Sequence, residues 1–143
     1  MTKEVLVSIS GLQFDQNNNE AIEIITSGNY YEKNGKQYIL YEELQQDEVE
    51  ATQNTIKISN NQIDLLKKGI YNVHMSFEKN KKTMTYYNTP FGNLLIGINT
   101  NQLIVKEDDK GMHIQIEYGL DINYEFVSDC TIQIKISQKI SNK

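Results

Sequence analysis

Gly111-Met112-His113-Ile114-Gln115-Ile116-Glu117-Tyr118 alternates polar and apolar residues without a break, and Thr131-Ile132-Gln133-Ile134-Lys135-Ile136 repeats the rhythm further on. Successive side chains of a strand point to opposite faces, so each stretch demands one wet face and one dry face. The same period of two runs through Val5, Val7 and Ile9, and through Ile22, Ile24, Thr26, Gly28 and Tyr30. It returns in Tyr71, Val73, Met75 and Phe77, set against Asn72, His74, Ser76 and Glu78, and again in Leu94, Ile96 and Ile98. A chain patterned this way throughout is an all-β protein folded around one core.

Short turn signals separate the stretches. Asn34-Gly35 tolerates the positive φ angles of a type I′ turn, so the strands on either side, the second ending in Tyr38-Ile39-Leu40-Tyr41-Glu42-Glu43, pair directly. Asn60-Asn61 joins Thr55–Ile58 to Ile63–Leu65 in the same manner, and Lys79-Asn80-Lys81 leads into a strand over 83–88. Asp15–Asn19 is a polar loop, and Leu44–Thr52 carries no strand period. The single proline, in Thr89-Pro90-Phe91-Gly92, lacks an amide hydrogen and suits a corner. Thr100-Asn101 and Asp108-Asp109-Lys110-Gly111 bracket a short strand through Leu103 and Val105. So many short antiparallel strands leave edges exposed unless the sheet closes. The expected architecture is a single antiparallel up-and-down β-barrel of about eight to ten strands, calycin- or lipocalin-like, occupying residues 1–143 as one domain.

Composition narrows the function classes. The formal charge is −5 and all 14 basic residues are lysines. Without the planar fork of arginine, and with net acidity, nucleic acid is not an expected partner. The N-terminus has no apolar leader core, and no stretch approaches the roughly 18 to 20 apolar residues of a membrane helix, so a cytoplasmic protein with no membrane partner is expected. Cys130 is alone and cannot close an intramolecular disulfide.

Gly28-Asn29-Tyr30-Tyr31, Tyr38-Ile39-Leu40-Tyr41-Glu42-Glu43, Lys68-Gly69 with Phe77, Tyr87 through Thr89-Pro90-Phe91-Gly92, and Gly111 with the strand ending at Tyr118 span most of the chain. In that order they resemble the YwiB-like family of small bacterial β-barrels, a calycin-like group classed as a domain of unknown function. The resemblance implies a closed or nearly closed antiparallel barrel of lipocalin-like shape. It brings no catalytic residues.

Four polar residues in those phrases, Tyr41, Glu43, Lys68 and Tyr87, are the expected ligand-binding positions. If Glu43 and Lys68 both face inward they must pair, because one buried charge alone is costly, and the pair would then orient a polar ligand head. The alternative for each is a solvated face or a structural ion pair, just as Ile, Val, Leu and Phe fill the interior of most small barrels.

Catalytic and metal signatures are missing from the pattern. His74 and His113 alternate with apolar neighbours and belong on the outer face, and HExxH and CxxC do not occur. Glu42-Glu43 and Asp108-Asp109 are neighbours that a strand points apart, so neither is a catalytic dyad. Gly92 and Gly111 lie in turns, with no following helix to cradle phosphate.

The leading expectation is therefore a protein that is not an enzyme, uses no metal or cofactor, and binds a small, mostly apolar molecule in the barrel interior or mouth. Two rivals stand beside it. One is an accessory protein acting as a homodimer or docking a partner around Phe91 and the Thr89-Pro90 corner; the other is an enzyme of unknown class whose residues converge only in three dimensions.

Overall fold

The computed structural model describes residues 3–11, 23–43, 52–69, 72–89 and 92–139. Ten strands account for nearly all of them: β1 (Lys3–Ser10), β2 (Glu23–Lys33), β3 (Lys36–Glu43), β4 (Thr52–Ser59), β5 (Gln62–Lys68), β6 (Val73–Glu78), β7 (Lys82–Thr89), β8 (Gly92–Asp108), β9 (Gly111–Ile122) and β10 (Glu125–Gln138). They form one antiparallel sheet in the order β6-β5-β4-β3-β2-β1-β10-β9-β8-β7. Every neighbour is consecutive in the chain except β1 and β10, which pair from Val5 with Gln138 to Ser10 with Gln133.

This is the up-and-down arrangement, and its two edges, β6 and β7, meet at a seam. No regular ladder joins them. Instead the Thr83 hydroxyl donates to the Ser76 carbonyl at 2.6 Å, and the connecting turn is sewn onto β8. There the Asn80 amide donates to the Thr100 carbonyl at 2.9 Å, and the Thr100 amide donates to the Lys81 carbonyl at 3.1 Å. The barrel is nearly closed, and no described residue is helical.

Alternation becomes burial with the expected phase. Val5, Val7 and Ile9, then Ile56 and Ile58, then Met112, Ile114, Ile116 and Tyr118, then Ile132, Ile134 and Ile136 are all interior. Fully burying each aliphatic side chain contributes roughly 1.5–3 kcal/mol before chain entropy is charged against it. Ile39, Ile63, Phe77, Ile96 and Ile98 complete the middle of the core.

The two ends of the barrel differ. At the turn end, Asn34 (φ 55°) and Gly35 (φ 77°) form the left-handed hairpin that Asn-Gly favours, and Asn61 (φ 63°) and Asn80 (φ 65°) close the next two. At the other end β9 and β10 are joined through Asn123 (φ 50°) and Tyr124 (φ 71°), while the connections after β1, β3, β5 and β7 lie at least partly outside the described residues. The Pro90-Phe91 corner and residues 44–51 are among those outside.

One boundary differs from the sequence reading. Thr100-Asn101 does not end a strand: β8 runs on for 17 residues, with a register shift between Thr100 and Gln102. An extra residue on one strand bends it and resets which side chains face in, so Leu103 resumes the inward face one residue out of phase with Ile98.

Gly11, at the exit of β1, has φ +86°, and a β-carbon there would overlap the carbonyl oxygen of Thr131 on β10. Gly11→Ala therefore meets both a left-handed backbone penalty and a backbone collision. It is expected to cost at least about 2 kcal/mol of unfolding free energy. A shift of the urea midpoint checks this, and an unchanged midpoint would mean that β1 does not leave β10 in this geometry.

Candidate functional site

Strand phase selects the polar groups that enter the barrel. On β3, Ile39 and Tyr41 are buried, so Glu43 follows them inward; on β4, Ile56 and Ile58 carry Asn54 with them. On β5, Ile63 and Leu65 fix Lys67 as the inward lysine. The ladders then align Tyr41 with Asn54, Asn54 with Lys67, and Lys67 with Val73 in one row across β3 to β6. The row lies at the end of the barrel opposite the tight hairpins.

Lys67 Nζ is 3.2 Å from Glu43 Oε1, with side chains 26% and 17% exposed. An ion pair at that depth gains more than one on the open surface, and it leaves the row without net charge. Asn54 is 3% exposed. Its Nδ2 donates to the Thr52 carbonyl at 3.3 Å, while Oδ1 is buried without a hydrogen-bond partner. Burial first, and the Glu43 carboxylate second, push the Tyr41 phenol above its ordinary value, so the ring stays neutral.

Of the four residues singled out from sequence, Tyr41 belongs to this row, and Glu43, two residues further along β3 and opposite Thr52, is tied to it by Lys67. Tyr87 is half-buried and packs on the core from β7. Lys68 does not face inward with Glu43: it is exposed, opposite Gln53 on the outer face, and Lys67 takes the role assigned to it. The reason is parity. A one-residue step in a strand changes faces, and Lys67, not Lys68, shares the phase of Ile63 and Leu65. Asn54 was missed although its phase with Ile56 and Ile58 would have marked it.

Several other polar groups already have partners. His74 is on the outer face with Nε2 3.0 Å from Asp64 Oδ1, and Gln62 donates to the same carboxylate. Lys82 and Asp121 pair at 2.9 Å. Among the described residues no three His, Cys, Asp or Glu side chains group as metal ligands. A hollow at the turn end has Val5, Met112 and Ile136 among its lining residues and Glu32, Glu107, Asp108 and Asp109 on its rim. Its tyrosine is engaged: Tyr30 donates to Glu32 at 2.7 Å and accepts from Gln37 at 2.9 Å, while Gln37 also reaches Glu107 at 3.3 Å. An outer groove holds Gln53 donating to Glu42 at 2.9 Å and Lys139 donating to Ser27 at 3.1 Å. Neither leaves a buried polar atom in want of a partner as Asn54 does.

A ten-stranded, nearly closed antiparallel barrel with a charge-compensated polar row inside one end defines the class. The chain belongs to the family described as a domain of unknown function, DUF1934, whose model matches residues 7–134. It is 26% identical over 111 residues to the uncharacterized beta-barrel protein YwiB of Bacillus subtilis (strain 168), covering 78% of this chain and 77% of that protein. The crystal structure of the ywiB protein from Bacillus subtilis is similar with a TM-score of 0.77 at 22% identity, covering 97% of this chain and 94% of the other. That likeness shows the fold.

Proposed function

We propose that this calycin-like barrel is a non-enzymatic cytoplasmic binding protein that holds a small, mostly apolar molecule in the end carrying the Tyr41–Asn54–Lys67 row. The observation that carries the reading is the Asn54 amide oxygen, interior and unpartnered beside the Glu43–Lys67 pair. A buried acceptor left unmade costs about 1–3 kcal/mol, and a bound donor would recover it. The pair itself is neutral overall, which suits a ligand without net charge. Tyr41 and Tyr87 supply aromatic surface to its apolar body.

Native mass spectrometry of the protein purified from its own cells tests this. The expected spectrum contains the chain with a small-molecule adduct, reduced at least about ten-fold in Asn54→Leu and in Lys67→Met, as loss of one buried hydrogen bond implies. A bare mass for the wild-type chain overturns it.

A second reading rests on a different surface. Met84, Tyr86 and Phe126 are 44%, 65% and 64% exposed, and the registers place Met84, Gly97, Asp121 and Phe126 on one outward row. Exposed Met84, Tyr86 and Phe126 side chains around the Lys82–Asp121 pair give this face an apolar share that favours a homodimer or a docked partner. A doubled mass in the same spectrum would favour this reading.

A further inference from the structure

We propose that the inner wall of β8, β9 and β10 carries a second polar site, built by Thr100, Tyr118 and Cys130, for a neutral molecule bearing a hydroxyl or carbonyl oxygen. Thr100 and Tyr118 are directly opposite on β8 and β9, and Tyr118 is directly opposite Cys130 on β10. All three share the face that Ile98, Ile116 and Ile132 turn inward.

Thr100 is 2% exposed and Tyr118 1%; the Thr100 hydroxyl is buried without a hydrogen-bond partner, and the Tyr118 hydroxyl has no well-formed one, with only the weak thiol of Cys130 beside it. Two such hydroxyls on adjacent strands are a rare arrangement, because buried hydroxyls are nearly always paired with protein or with a bound molecule. The backbone of Thr100 is held on both sides by the β6–β7 turn, so the residue is fixed where its hydroxyl meets an otherwise apolar interior.

Ligand chemistry follows from the groups present. Each hydroxyl both donates and accepts, the Cys130 thiol is a weak version of the same, and no carboxylate, amine or imidazole belongs to the trio. A neutral oxygen that accepts from Tyr118 and Thr100 matches them, whereas an anion would be stripped of water with no cation to meet it. Cys130 and Ser128 are only half-buried, with Ser128 Oγ 3.4 Å from Cys130 Sγ. The trio therefore grades from the barrel interior at Tyr118 towards solvent along β10. This site shares no residue with the Asn54 row, so it stands or falls separately.

The full-length chain titrated with isopropanol, acetone and acetamide, followed by NMR at the backbone amides of Thr100, Tyr118 and Cys130, tests the proposal. Saturable shifts from at least one probe are expected, weakened at least about ten-fold in Tyr118→Phe and in Thr100→Val. Both variants are close to isosteric. Should one fail to fold, Cys130→Ala on the half-buried side supplies the comparison. Glu43→Gln is expected to leave the titration unchanged, whatever it does to an adduct at the other site. Linear, unsaturable drift overturns the proposal, and so does a long-lived internal water at these hydroxyls that no probe displaces.

Discussion

Phe77→Ala is expected to destabilise the barrel by about 3–5 kcal/mol, a large part of the 5–15 kcal/mol typical of a whole domain. Phe77 lies on β6, an edge of the sheet, and is fully buried. Across the seam its ring meets Tyr118 of β9 edge-to-face, with centroids 5.0 Å apart and planes at 65°. Where the β6–β7 ladder is lacking, this contact between strands three places apart adds to the Thr83–Ser76 hydrogen bond in closing the cross-section. Truncation removes the transfer energy of the ring, leaves a cavity that β-strands on all sides resist filling, and forfeits an aromatic pair worth about 0.5–1.5 kcal/mol. Urea unfolding with an unchanged m-value checks it, alongside Tyr86→Ala on the outer face, which is expected to fall within about 0.5 kcal/mol of wild type. A loss under about 1 kcal/mol for Phe77→Ala would show that the seam is held by something else.

The barrel was legible because its determinants are local and periodic. Val5-Val7-Ile9, Met112 to Tyr118 and Ile132 to Ile136 each declare an inward face, and Asn34-Gly35 and Asn60-Asn61 declare hairpins through their backbone tolerance. The β8 bulge was not legible. Thr100-Asn101 reads as a turn because two small polar residues interrupt the pattern, and only the pairing of Thr100 with Tyr118 and Gln102 with Glu117 reveals an inserted residue. The Asn123-Tyr124 turn was missed for the opposite reason: a tyrosine with φ 71° is not a recognised turn residue, and the position is fixed by Asn123 exchanging hydrogen bonds with Leu95 across the sheet.

Part of the polar site was legible as well. Tyr41 and Glu43 stood out, but the pairing considered for Glu43 is with Lys68, and the cation beside it is Lys67. What a linear reading does not contain is which strands become neighbours. The row Tyr41, Asn54, Lys67 joins positions 13 residues apart at each step, and its alignment depends on the registers of two hairpins. Thr100 and Tyr118 are a sharper case. A tyrosine at the end of an Ile-rich stretch looks like a rim residue with its hydroxyl in water, yet the length of β8 and β9 beyond the β6–β7 turn carries it into the interior.

Those same two interior phenols make the fold sensitive to base. Burial, ahead of the Glu43 carboxylate for Tyr41 and ahead of Cys130 for Tyr118, raises both above the ordinary value of 10.0, because an apolar interior penalises phenolate. Below pH 10 both chains keep the proton and the shifts cost nothing. Above it the unfolded chain releases two protons that the folded chain retains, so stability falls as pH rises, by about 1.4 kcal/mol per pH unit for each tyrosine. Two units above pH 10 that loss is of order 5 kcal/mol for the pair, enough to unfold a barrel of ordinary stability. The expected result is a cooperative alkaline transition in circular dichroism, coincident with the last step in phenolate absorbance. Tyr41→Phe and Tyr118→Phe should each roughly halve the slope of stability against pH. Smooth phenolate titration of all nine tyrosines with no accompanying loss of structure would place Tyr41 and Tyr118 in contact with water, and with them the interior row and the β8 wall.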